Sequence, residues 1–252
     1  MLTSNQIISS VPRVTLVFWI LKILATTLGE SLADNMASKL DFGFLLSTVI
    51  SAFTFAFFVR AQAYLNSYHT LMYWRTIVAT AVLSTSLSDF IDKYTFQGHQ
   101  GGVAVLFTTD VAYFLFWKYR LGSVSIQSIV TPAAVYYYWG GILLTQSLGN
   151  ALGDLVLKHP DAFHQGRIAI FGALVLALLI AYTYKIVSGT LLFWVTFVFT
   201  RPIATDFGLH LHLPTHKGGL ALTGFSASLA LLLPMILILW IANPKPEGSM
   251  ST

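Results

Sequence analysis

Mostly apolar stretches long enough to cross a bilayer as helices recur eight times in this sequence. That recurrence limits the fold more than any other feature. A hydrocarbon core of about 30 Å takes about 20 residues of helix. Eight segments qualify: about 14–34, 42–65, 71–91, 102–118, 132–157, 167–187, 189–209 and 218–242. The connections are short, so nothing remains from which to build a soluble domain. The expected fold is an all-α integral membrane protein, one domain over 1–245, with a disordered tail at 246–252. The N-terminal run, Arg13 followed by apolar residues, has the outline of a signal peptide. It reads better as the first span, because the same segment returns three more times.

Each return opens on an aromatic–Trp pair: Phe18-Trp19, Tyr73-Trp74, Tyr138-Trp139 and Phe193-Trp194. Behind the tryptophans, "WILKILATTLGESLAD", "WRTIVATAVLSTSLSD", "WGGILLTQSLGNALGD" and "WVTFVFTRPIATDFGL" align without gaps. The eight helices therefore group into four tandem pairs, about 14–65, 71–118, 132–187 and 189–242. Ten and fourteen residues after each Trp stand small residues: Gly29/Ala33, Ser84/Ser88, Gly149/Gly153 and Ala204/Gly208. Small residues four apart let helix backbones approach closely in lipid.

A second register is polar. Seven, eleven and fifteen residues after the Trp come Thr26/Glu30/Asp34, Ala81/Thr85/Asp89 and Gln146/Asn150/Asp154. Positions four apart share a helix face. The fourth segment departs, with Arg201/Thr205/Leu209, and Asp206 and His210 one position later. A bend at Pro202 is the device expected to bring Asp206 round. If the tryptophans mark the headgroup level, Glu30, Thr85, Asn150 and Thr205 fall near mid-membrane. Asp34, Asp89 and Asp154 fall toward the far face.

This pattern resembles a bacterial family of uncharacterised membrane-anchored proteins built from four tandem repeats of unknown function. Each repeat has two spans and a signature tryptophan, here Trp19, Trp74, Trp139 and Trp194. The resemblance covers about residues 14 to 242. It implies eight spans and assigns no activity.

An even number of spans puts both termini on one side. Loops there carry Arg13, Arg60, Lys118, Arg120, Lys185 and Lys245, against one acid, Glu247. The other side has Lys39, Lys93, Lys158, Arg167 and Lys217 among many acids. The positive-inside rule places the termini in the cytoplasm and the protein in the bacterial inner membrane.

Charged residues in a bilayer face a bundle interior or a water path and often mark a substrate route. The expected route is lined by Lys22, Thr26, Glu30, Asp34, Thr85, Asp89, Asn150, Asp154, Arg201 and Asp206. Lys22 or Arg201 is the expected partner of Glu30. Carboxylate, amide and hydroxyl oxygens suit a hard cation such as magnesium, manganese or calcium. The function expected is transport of a small inorganic cation, proton-coupled in one version. Glu30, Asp34, Asp89 and Asp154 are its metal ligands, and a divalent metal ion enters as substrate, not cofactor. The tryptophans and the "AAVYYYW" run at 133–139 suit an interfacial belt.

Two alternatives stand beside transport. In one, the carboxylates pair with Lys and Arg and merely lock helices together. In the other, a membrane enzyme uses Asp110 with outer histidines drawn from His99, His159, His164, His210, His212 and His216. No catalytic spacing supports an enzyme, and pairing with Arg201 is the plainer expectation for Asp110. The chain has no cysteine, which removes thiolate ligands. A net charge of +4 spread over loops makes no nucleic-acid surface. The expected partners are the lipid bilayer and a small ion or solute; a homo-oligomer stays open.

Overall fold

A computed structural model of the protein describes residues 11–36, 43–65, 68–94, 98–157 and 167–242. Among them are eight α-helices and no strand: α1 Leu16–Asp34, α2 Gly43–Leu65, α3 Thr70–Tyr94, α4 Gly98–Leu121, α5 Pro132–Leu157, α6 Arg167–Thr183, α7 Gly189–His212 and α8 Gly224–Ala242. Three of these, α1, α2 from Leu45 and α8, are long and apolar enough by composition alone to cross a membrane. The tail at 246–252 lies outside the described residues.

Local chemistry sets several helix starts. The Thr15 hydroxyl accepts the Phe18 N–H at 3.3 Å, opening α1. Ser188 accepts the Leu191 N–H at 3.2 Å, opening α7. Thr131 accepts from Ala134 at 3.2 Å, with Pro132 as the first residue of α5. The last segment begins later than expected. Residues 218–223 are not helical; Gly218 takes a left-handed φ of 82° after a 3₁₀ turn, and the helix starts at Gly224.

The odd-numbered helices close on one another. α1 packs on α3, α3 on α5, α5 on α7, and α7 back on α1. The even-numbered helices lie outside, each against the odd helix that follows it: α2 on α3, α4 on α5, α6 on α7, and α8 on α1. A four-helix inner ring thus carries a four-helix outer layer.

Small residues make the ring's seams. A Cβ on Gly29 would stand 2.4 Å from the Ala81 Cβ, so α1 and α3 touch there. One on Gly149 would stand 2.5 Å from the Val198 carbonyl oxygen and 2.7 Å from the Arg201 Cβ, across the α5–α7 seam. Across α7–α1, Gly208 faces the Thr27 methyl, and the Thr27 hydroxyl donates to the Ala204 carbonyl at 3.0 Å. These contacts use the small-residue register read from the sequence.

The tryptophans do not turn outward, as the rings of a lipid-facing belt would. Trp74, Trp139 and Trp194 are buried, and Trp19 is half-buried. Each packs across a seam onto the aromatic residue that precedes the neighbouring Trp. Ring centroids are 5.6 Å apart for Trp74 and Phe18, 5.3 Å for Trp139 and Tyr73, 6.0 Å for Trp194 and Tyr138, and 5.9 Å for Trp19 and Phe193. Contact with other aromatic rings draws the indoles into the bundle. The result is an aromatic closure at one end of the ring, tied by a hydrogen bond of 2.6 Å between the buried Tyr73 and Tyr138 hydroxyls. Within the 133–139 run, only Ala133 and Tyr136 are exposed.

Candidate functional site

Polar side chains of the odd helices turn inward. Thr26, Thr85, Gln146, Asn150 and Arg201 are all buried, and Lys22, Gln146 and Arg201 have no exposure at all. The outer surface is the reverse, with Leu71, Phe107, Leu115, Tyr136 and Leu191 exposed.

Arg201 crosses the ring from α7. Its Nη1 donates to the Thr26 carbonyl of α1 at 3.0 Å and lies 3.4 Å from Glu30 Oε2. Its Nη2 donates to the Thr85 hydroxyl of α3. Thr205, one turn along α7, donates to the same Glu30 oxygen at 3.0 Å. Thus Glu30 is held by two groups of α7 while 18% of its side chain stays accessible. The Thr26 hydroxyl turns back to its own helix, donating to the Lys22 carbonyl at 2.8 Å.

The other carboxylates lie toward the end opposite the aromatic closure. Asp34 is exposed, and Asp89 and Asp154 are half-buried. They belong together electrically: Asp89 feels the charges of Asp154, Asp34, Glu30 and Arg201, and Glu30 those of Arg201, Asp34 and Asp154. Asp34 also feels His212. Four carboxylates and one guanidinium therefore share one end of the ring.

Lys22 does not pair with Glu30. Its Nζ reaches α7 instead, donating to the Phe197 carbonyl at 3.0 Å and to the Thr200 hydroxyl at 2.5 Å, 4.3 Å from the Phe197 ring centroid. Lys22 stands two helical turns nearer the closure than Glu30, so the α7 acceptors are the ones in reach. Asp110 does not pair with Arg201 either; the guanidinium meets Thr26, Glu30 and Thr85. Asp206 is buried but is not among the charges acting on Glu30 or Asp89. α7 runs on through Pro202, and Thr205 supplies the contact to Glu30.

The described histidines do not gather. His210 Nδ1 meets the Asp206 carbonyl at 2.9 Å and His212 Nδ1 the Leu222 carbonyl at 3.0 Å, while His216 is exposed on the following turn. None joins Asp110. The His99 side chain, His159 and His164 lie outside the described residues. Among the described residues, no three His, Asp or Glu side chains converge as a ligand set.

Two features escaped the sequence reading. Thr200 and Phe197, the acceptors for Lys22, sit on α7 opposite a residue outside the polar register. The Gln146 amide is fully buried with neither its nitrogen nor its oxygen hydrogen-bonded to protein, and Arg201 Nε is likewise unpaired. Buried polar groups of this kind are usually met by ordered water.

Residues 17–68 match a family described as Repeat of Unknown Function (DUF347). That segment holds α1 from Val17 with Trp19, Glu30 and Asp34, and all of α2. The description names a repeat and no activity. No curated protein and no solved structure matches the chain.

Proposed function

We infer that this protein is an eight-span transporter of a small inorganic cation. It comprises four tandem helix-pair repeats in a bacterial cytoplasmic membrane, with both termini in the cytoplasm. The observation that carries the reading is the partly accessible Glu30 carboxylate, held by Arg201 and Thr205 inside a closed ring whose helices carry Asp34, Asp89 and Asp154 toward the same end. Five helices have a mean hydropathy too low to count as spans, or are too short. Most of the polar residues along the middle of α3, α5 and α7, among them Thr80, Thr85, Gln146, Asn150, Thr200 and Arg201, are buried, while Arg75, His210 and His212 are exposed toward the helix ends, which suits hydrocarbon outside and a polar path inside. The matching Trp-to-aromatic contacts at all four seams support four equivalent repeats.

In this reading the carboxylate end is a vestibule. A cation that enters it replaces Arg201 as the counter-charge of Glu30, with Thr85, Asn150 and Thr205 as further oxygen ligands. The aromatic closure bars the other end, so passage requires the tryptophan seams to open. The carboxylates form no preassembled cage, so the ion arrives partly hydrated, as magnesium and similar hard ions are commonly held. The second reading is structural, favoured by the contacts Glu30 already receives from Arg201 and Thr205.

Flux in proteoliposomes separates the two, using magnesium, manganese, calcium and sodium in turn. Under the transport reading one of these ions crosses, and Glu30→Gln and Asp89→Asn each cut its rate at least about ten-fold in folded protein. Unaltered flux in both variants, or no flux of any ion, refutes it. A loss of stability without a loss of flux establishes the structural role.

A further inference from the structure

Asp110 lies halfway along α4 and takes no part in the vestibule or the seams. With Leu106, Tyr113 and Trp117 it forms the face of α4 that meets α5. Leu106 packs with Leu148 and Ala151, the Tyr113 hydroxyl donates to the Tyr137 carbonyl at 2.8 Å, and Trp117 stacks on the Tyr137 ring. The middle of α5 therefore stands opposite Asp110.

The carboxyl is almost completely enclosed, at 7% exposure, and its Oδ1 is sealed off with no hydrogen-bond partner. The hydroxyls beside it on α4, and two on the middle of α5, are committed elsewhere. Thr108 and Thr109 donate to the Ala104 and Val105 carbonyls at 2.7 and 2.8 Å. On α5, Thr145 and Ser147 donate to the Gly141 and Leu143 carbonyls at 2.7 and 2.9 Å. No charged group of α3, α5 or α7 acts on Asp110. Lys22 and Arg201 are engaged in the ring, Asp89 and Asp154 lie at its acidic end, and Tyr137 faces Tyr113 and Trp117. An ionised carboxylate in such a place has no donor at Oδ1 and no counter-charge, whereas the neutral acid needs only an acceptor.

We propose that Asp110 is a proton-binding site in the outer helix layer, separate from the vestibule, that holds its proton until movement of α4 against α5 admits a donor or water. The proposal rests on the reading above only in placing α4 within the bilayer. The ligand is a proton, and the chemistry that reports it is addition of a carbodiimide to a protonated acid. The acid proton passes to a carbodiimide nitrogen as the carboxyl oxygen bonds to the central carbon, and the adduct rearranges to an N-acylurea with nothing lost.

The full chain in proteoliposomes is treated in parallel with dicyclohexylcarbodiimide, which enters hydrocarbon, and with a water-soluble carbodiimide, and peptides are read by mass. The expected result is one adduct on the Asp110 peptide, at least about ten-fold more from the lipid-soluble reagent. Asp110→Asn should abolish it, Asp110→Glu should retain it, and Glu30→Gln should leave it unchanged. An unmodified Asp110 peptide, or equal modification by both reagents, overturns the proposal. Failure of every ion to cross would end the transport reading and leave this labelling result standing.

Discussion

Two glycines one turn apart on α5 should answer differently to the same methyl group. A Cβ at Gly149 would meet the Val198 carbonyl oxygen at 2.5 Å and the Arg201 Cβ at 2.7 Å, whereas at Gly153 the nearest atoms, in Pro202, are 3.6 Å away. Pro202 has no N–H, so the Val198 carbonyl lacks its usual partner one turn on, and the α5 backbone lies against that bare oxygen. Alanine in place of glycine inside a helix gains about 0.8–1.0 kcal/mol from propensity at either site. Forcing a methyl into packed backbone costs about 1–3 kcal/mol, and only Gly149 incurs it. Gly153→Ala should therefore be neutral to stabilising, with Gly149→Ala about 1–3 kcal/mol below it, a difference of roughly five-fold to a hundred-fold in the folding equilibrium. Unfolding by SDS in mixed micelles, followed by circular dichroism, measures both. A Gly149→Ala variant as stable as Gly153→Ala would refute the close α5–α7 seam, and the Arg201 geometry built on it.

Removal of the guanidinium by Arg201→Met should destabilise by about 3–5 kcal/mol, because it strands Glu30. Adding Glu30→Gln should recover part of that loss, and strict additivity in the double-mutant cycle would deny the pair. By contrast, Lys22→Met strands no carboxylate and should leave stability unchanged or raised; a loss as large as that of Arg201→Met would reveal a counter-charge for Lys22. At the closure, Tyr73→Phe and Tyr138→Phe should each cost about 1–3 kcal/mol by orphaning the other hydroxyl. The double variant should cost no more than the worse single one, as thermal unfolding in detergent would show.

The inward face was legible because its periodicity is local. Glu30, Thr85, Asn150 and Arg201 share a helix register, and one helix's spacing suffices to say that they point the same way. The small-residue register likewise marked where helices touch, as Gly29 and Gly149 do, without saying which helix each would meet. Partnerships across the ring were not legible. Lys22 finds its acceptors on α7, a choice fixed by the axial level of Phe197 and Thr200 and not by any spacing along α1. The facing of the tryptophans was not legible either, because only the assembled seams show the aromatic residue against which each one packs.

Because α8 lies on α1 and α7 completes the contact between Trp19 and Phe193, the beginning and end of the described bundle are neighbours. A stack of repeats arranged in a line exposes two raw ends and needs special caps to cover them. Here α7 and α8 both lie on α1, so the described ring has no open end. The closing joint forms only after α7 has been synthesised, and until then Trp19 has no Phe193 to rest on.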